Sequence, residues 1–247
     1  MTTLAGGGSV GGTSSGYLDG TGTAALFYKI SDMAVDSSGS NLYIADAWNN
    51  RIRKIVISSG VVTTLAGSSS GYLDGTGTSA RFNSPYGVTI DSTNSNLYVA
   101  EAGNNRVRKI VISSGEVTTL AGGTSGYLDG TGTAAQFNQL YGITIDSLSQ
   151  NLYVTDLGSG NSLIRKIVIS SGEVTTLAGG TSGYADGTGT SAKFANNYGI
   201  TIDSLNQNLY VTDTNGQLIR KVVISSGAVT TLAGSTYGYS NGTGTAA

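Results

Sequence analysis

The segment Val117–Thr133 reads Val-Thr-Thr-Leu-Ala-Gly-Gly-Thr-Ser-Gly-Tyr-Leu-Asp-Gly-Thr-Gly-Thr, and near-copies of it begin at Thr2, Val62, Val174 and Val229. Its central leucine falls at Leu4, Leu65, Leu120, Leu177 and Leu232, in steps of 61, 55, 57 and 55 residues. No other feature constrains the fold as much. A period of this size means one small supersecondary unit built several times, each copy burying its apolar face on the next. All 247 residues therefore read as one repeat domain.

One unit can be followed from Phe82. Val88–Asp91 alternates apolar and polar residues as a short strand does, and Ser92–Asn96 is a turn of short polar side chains that bond their own backbone. Leu97–Ala100 is a second strand, Ala102–Asn105 a second turn, Arg106–Ile112 a third strand, Ser113–Gly115 a third turn and Val117–Ala121 a fourth strand. Equivalent units start at Phe27, Phe137 and Phe194. Connections this short allow only antiparallel neighbours, so each unit is a four-stranded meander. The expectation is an all-β chain, a β-propeller of four-stranded antiparallel blades. The blades fall at about 27–66, 82–121, 137–178 and 194–233, with a surplus outer-strand segment at 1–6 and a linker tail at 234–247.

Composition supports a packed chain and removes several functions. Hydrophobic residues make up 38% and charged residues 11%, enough to bury a core and too little charge for a disordered polyelectrolyte. The formal net charge is −2, with Lys and Arg spread through the repeats, so no basic patch for nucleic acid is expected. With no cysteine there are neither disulfides nor thiolate metal sites. No apolar run approaches a membrane span. The first residues enter a repeat at once, which reads as a chain without a signal peptide and leaves cytoplasmic and extracellular settings both open.

Tyr86-Gly-Val-Thr-Ile-Asp, Asn96-Leu-Tyr-Val-Ala and Asn105-Arg-Val-Arg-Lys-Ile together resemble the NHL repeat of β-propeller proteins, and the likeness runs through all four units. Unit one departs from it with Ser31-Asp32 in place of Tyr-Gly. Units three and four replace Asn-Asn-Arg with Asn161–Leu163 and Gly216–Leu218. The resemblance implies a family norm of six blades. It leaves two expectations for this chain: a piece of a longer array, or a ring completed by self-association.

Alternating strand directions put the second-to-third turns and the blade-to-blade linkers on one face, which also carries the length changes at Gly7–Ser15 and Leu157–Gly160. Recognition is expected there, on variable loops held by a rigid frame. The candidate binding residues are Trp48, Asn49, Asn50, Arg51, Asn104, Asn105, Arg106 and Asn161, with Trp48 the single tryptophan.

The linker acids Asp19, Asp74, Asp129 and Asp186 are weak calcium candidates. One carboxylate per linker is poor for an ion that wants six to eight oxygens, so a turn with Asp capping nearby amides is the simpler reading, and no cofactor is expected. Two rings of recurrent acids, Asp36/Asp91/Asp146/Asp203 and Asp46/Glu101/Asp156/Asp213, read as strand-end caps and partners of third-strand cations. Arg53, Arg108, Arg165 and Arg220 read as structural, or as stems snorkelling over apolar neighbours. No catalytic residues are singled out. The expected function is a non-enzymatic scaffold for a protein, peptide or glycan. The alternatives are a calcium-dependent lactonase-like hydrolase, which the propeller resemblance implies, or a propeller piece with no ligand of its own.

Overall fold

The computed structural model describes residues 2–7, 16–158, 160–235, 237–238 and 241–246. Most of the Gly7–Ser15 expansion lies outside them, as do Ser159 of the second insertion and the linker Tyr239. The fold is all-β and of the β-propeller class, with four antiparallel sheets as blades. Among the described residues the helical structure is confined to single 3-10 turns, and no helix is long and apolar enough to cross a membrane.

Blade 1 is built of β1 (Gly20–Thr21), β2 (Ile30–Val35), β3 (Asn41–Asp46), β4 (Arg51–Val56) and β5 (Val61–Gly67). Blade 2 holds β6 (Gly75–Thr76), β7 (Pro85–Ile90), β8 (Asn96–Glu101), β9 (Arg106–Val111) and β10 (Glu116–Gly122). In blade 3 these are β11 (Gly130–Thr131), β12 (Leu140–Ile145), β13 (Asn151–Gly158), β14 (Asn161–Val168) and β15 (Glu173–Thr181). Blade 4 closes the order with β16 (Gly187–Thr188), β17 (Asn197–Ile202), β18 (Asn208–Asp213), β19 (Leu218–Val223) and β20 (Ala228–Ala233).

Each sheet thus has five strands rather than four. The added one is a two-residue stretch of the linker that pairs outside the fourth meander strand, Gly20 opposite Val62 and Thr21 opposite Val61 in blade 1. Two residues carry no period, so this strand leaves no alternation in the sequence. The segment Thr2–Ala5 lies along blade 1 without joining a strand. A Cβ on Gly60 would stand 3.1 Å from the Leu4 carbonyl, much as one on Gly115 would stand 3.2 Å from that of Leu65.

The leucine that marks the period has a defined geometric role. Ile52 pairs with Ala66 but Arg53 pairs with Thr64, so Leu65 is the extra residue of a β-bulge. The same shift leaves out Leu177 in blade 3 and Leu232 in blade 4. Two residues later the chain leaves the strand at Gly67, where φ is +99° and a Cβ would collide with the Asn50 carbonyl and the Phe82 ring. Only glycine fits there, which explains why Leu-Ala-Gly recurs as a block.

The chain divides into two compact units, Met1–Leu120 and Ala121–Ala247, with the boundary inside β10. In the first unit, Tyr43, Ala45, Ile52 and Ala66 of blade 1 pack with Phe82, Val88, Leu97, Val99, Ile110 and Val117 of blade 2. In the second, Tyr153, Ile164 and Ala178 of blade 3 pack with Phe194, Leu209, Val211, Val222 and Val229 of blade 4. These blade-to-blade layers are where apolar area leaves water, at roughly 25 cal/mol per Å².

Candidate binding surface on blade 1

The four recurrent arginines do not snorkel. Arg53, Arg108, Arg165 and Arg220 are all fully buried, and each joins two carboxylates and two backbone carbonyls. Arg53 donates to Asp46 at 2.9 Å and to Asp19 at 2.7 Å, and also to the carbonyls of Leu26 and Leu18. Arg165 repeats this with Asp156 and Asp129, and Arg220 with Asp213 and Asp186. In blade 2 the set is Arg108, Glu101 and Asp74. A fixed guanidinium fork suits such multiple anchoring.

The inner carboxylates are used up in the same stations. Asp46 also accepts from Tyr28 N at 2.8 Å and from Asn49 Nδ2 at 2.8 Å. Burial pushes the Asp156 carboxyl up to about 7, against the pull of the Asn138 amide and Arg165. Glu101 and Asp213 are raised for the same reason. In the first-to-second turns the direction reverses. Asp36, bonded by the Asn41 side chain, the Ser40 amide and the Ser38 hydroxyl, is held at about 2. Asp91 and Asp203 are lowered by the matching bonds of Asn96 and Asn208.

The linker acids offer little room for an ion. Asp19 divides its oxygens between Arg53, Thr64 N and Thr64 Oγ1. Asp74, Asp129 and Asp186 hold the matching arginine and threonine of their own blades. They bond a neighbouring strand, where the sequence suggested a turn within the linker. Among the described residues no three His, Cys, Asp or Glu side chains come together as a metal cluster.

The candidate asparagines and arginines are engaged inside the blades. Asn49 Nδ2 ties the Gly16 carbonyl to Asp46, and Asn104 ties Gly71 to Glu101 in the same way. Asn50, at φ +54°, accepts from Ser84 N at 2.9 Å, and Asn105 has φ +53°. Arg51 and Arg106 lie 3.7 Å over the rings of Tyr17 and Tyr72. Asn161 starts β14, opposite Gly158 and Thr181.

Trp48 is different. It is 49% exposed, and its ring meets Tyr28 edge to face at 4.7 Å. Lys29 Nζ stands 4.7 Å over Trp48 and 5.6 Å from the Tyr86 ring. The Trp48 amide donates to the Tyr28 carbonyl at 3.1 Å, which fixes the turn against the start of the same blade. Aromatic pairs of this geometry with a cation beside them form rigid contact surfaces of low entropy cost.

Tyr28, Lys29 and Tyr86 were not among the residues singled out from the sequence. A signal was available. The Tyr28 position carries Asn83, Asn138 and Ala195 in the other units, and the Trp48 position carries Gly103, Gly158 and Asn215. Asn83 lies where a Cβ on Gly103 would be, and Asn138 does the same at Gly158. In blade 1 both partners of that small pair have become aromatic.

The chain matches no family model over its length. It is 28% identical to NHL repeat-containing protein 2 of Homo sapiens over 262 residues, covering 92% of this chain and 35% of that one. It is 29% identical to the chloroplastic Protein SUPPRESSOR OF QUENCHING 1 of Arabidopsis thaliana over 238 residues, covering 89% and 22%. A solved structure of a Bacteroides thetaiotaomicron protein of unknown function aligns with a TM-score of 0.64 at 28% identity, over 82% of this chain and 48% of that one.

The chain is thus similar along most of its length to an NHL repeat-containing protein. The chain spans between about a fifth and a third of the length of these curated relatives. An arginine held between two carboxylates recurs in all four blades, with Glu101 in place of the inner Asp in blade 2, so this station belongs to the frame. The Trp48 surface occurs in one blade alone among those described.

Proposed function

We propose that this chain is a non-enzymatic NHL scaffold that binds a protein segment on the linker face of blade 1, at Trp48, Tyr28 and Lys29. One observation carries the reading: an aromatic pair under a lysine, half open to solvent, in a turn that the other blades fill with Gly or Asn. Aromatic residues presented on a rigid frame are the usual anchors of protein recognition. Lys29 occupies one face of the indole, so a partner meets the ring edge and the ammonium together. That chemistry suits an apolar side chain with an acidic neighbour. The net charge of −2 supports a partner other than nucleic acid.

The test is selection from a displayed peptide library against the whole chain. Enriched peptides are expected to combine an apolar anchor with an acid, and to lose at least about tenfold in affinity against Trp48→Ala. Peptides that bind Trp48→Ala as well as the unaltered chain would remove this surface from the function.

A further inference from the structure

The linker tyrosines Tyr17, Tyr72, Tyr127 and Tyr184 hold the same place in successive blades, and what covers them differs. In blades 1 and 2 an arginine of the same blade does so. Arg51 stands opposite Asp46 at the start of β4, and Arg106 opposite Glu101 at the start of β9. Their guanidinium groups lie 3.7 Å over the rings of Tyr17 and Tyr72. Each also donates to one carbonyl of the preceding turn, Arg51 to Asn49 at 2.6 Å and Arg106 to Asn104 at 2.9 Å. The Tyr17 and Tyr72 hydroxyls accept from Thr64 of β5 and Thr119 of β10. A cation on the ring face, held by a carbonyl beside it, is thus what this chain itself places on a linker tyrosine.

In blade 3 the place is closed. Leu163 stands opposite Asp156, in the register of the arginines, and is buried. Tyr127 turns its hydroxyl to the Gly158 carbonyl, and Asn138 Nδ2 donates to that hydroxyl at 3.1 Å.

Blade 4 has lost the arginine without closing. Leu218 stands opposite Asp213, again in the register of Arg51. Gly216 holds the position of Asn49, and a Cβ on it would come within 2.9 Å of the Tyr184 ring and 3.2 Å of Leu218. Glycine is what lets the ring lie over the turn, with its hydroxyl donating to the Asn215 carbonyl at 3.1 Å. Tyr184 is 61% exposed, the most open of the four. It forms one wall of a cleft of about 460 Å³, with turn 215–218, Ser235 and Tyr237 around it.

Among the described residues no charged side chain lines this cleft. The Tyr184 hydroxyl and Gln217 Nε2 are already spent as donors, on the Asn215 and Thr214 carbonyls. What the turn offers is an aromatic face and the Gly216 carbonyl, the counterpart of the Asn49 and Asn104 carbonyls. That combination favours a cationic donor over an anion.

We infer that the cleft receives an arginine side chain of a partner protein, stacked on Tyr184 as Arg51 and Arg106 are stacked in their own blades. The guanidinium lies on the ring face and donates to the Gly216 carbonyl. A planar group with several donors suits a slot between a ring and a turn better than an ammonium does. The chemistry is the reverse of that at Trp48. There the chain supplies the cation and the partner an acid, whereas here the chain supplies the ring and the partner the cation.

The test is built on Leu218→Arg, which supplies the missing arginine from within the chain. It is expected to fold, since blades 1 and 2 carry arginine in that register, and to close the cleft. The probe is acetyl-Gly-Arg-Gly-amide, with the citrulline peptide, similar in shape but uncharged, as its control. NMR on the whole chain follows the Tyr184 ring signals and the side-chain protons of the peptide arginine. The arginine peptide should move the Tyr184 signals saturably in the millimolar range, with its own protons shifted upfield by the ring. The citrulline peptide should bind at least about fivefold more weakly. Tyr184→Ala and Leu218→Arg should each weaken binding at least about tenfold, and Tyr184→Phe, which keeps the ring, should stay within about threefold. In Leu218→Arg the new side-chain protons should themselves move upfield, as those of Arg51 and Arg106 do. An arginine peptide that leaves the Tyr184 signals unmoved overturns the proposal. Equal binding of the citrulline peptide does the same, as does binding that survives Leu218→Arg or Tyr184→Ala, or a new arginine at 218 that shows no upfield shift.

Discussion

Arg108 is the sharpest place to test whether the recurrent acids and arginines serve the frame. Its guanidinium donates to Glu101 at 2.7 Å, to Asp74 at 2.5 Å, and to the carbonyls of Leu73 and Arg81 at 3.0 and 3.2 Å. Both Arg108 and Glu101 are fully buried. Arg108→Met keeps most of the apolar stem and removes all four bonds. Glu101 is then a buried carboxylate with only the Asn83 amide and Asn104 to face it. Breaking one side of a buried pair costs about 3–5 kcal/mol. A domain of ordinary stability has only about 5–15 kcal/mol in total, so urea unfolding should show the loss plainly.

Much of that cost is stranded charge, so Glu101→Gln added to Arg108→Met should recover about 2 kcal/mol. Arg106→Met on the same strand is the control. It loses a stacking contact on Tyr72 and one bond to the Asn104 carbonyl, for about 1 kcal/mol. If Arg108→Met costs under about 1 kcal/mol, or the double change costs as much as the two single changes added, the stations are not what holds linker to blade.

Three shorter predictions follow from the same geometry. Because burial lifts the folded Asp156 to about 7, its ionisation opposes folding: this contribution to stability is greatest at low pH and falls as pH rises from about 4 to about 7. Asp156→Asn should remove that part of the slope in thermal melts, and an unchanged slope would refute it. Gly67→Ala forces a Cβ into the Asn50 carbonyl and the Phe82 ring, and should cost at least about 2 kcal/mol by urea unfolding, whereas Gly39→Ala should cost about 1 kcal/mol. Excess calcium should leave the melting temperature unchanged, since Asp19 and its counterparts already hold an arginine and a threonine; a rise of several degrees would restore the linker site.

The sequence made the frame legible because each repeat marks its own boundaries. Leu-Ala-Gly ends the outer strand through a bulge and a positive φ, and Asp with Asn five residues later closes the inner turn, as Asp36 and Asn41 do. The buried arginines were harder to read. Arg53 sits among isoleucines as a snorkelling stem would, and its partners lie 7 and 34 residues away, beyond any local pattern. Their presence was visible, their burial was not. The Trp48 surface was half legible: the tryptophan stood out, while Tyr28 and Lys29 needed the turn folded back on the start of the blade.

Trp48 is the single tryptophan, so its emission reports the proposed surface without a label. The most direct measurement is a fluorescence titration with a peptide selected on the whole chain. The account predicts a saturable shift or quench of Trp48 emission that follows the binding isotherm, with binding lost in Trp48→Ala. Binding that leaves the Trp48 emission unmoved and survives that substitution would contradict it.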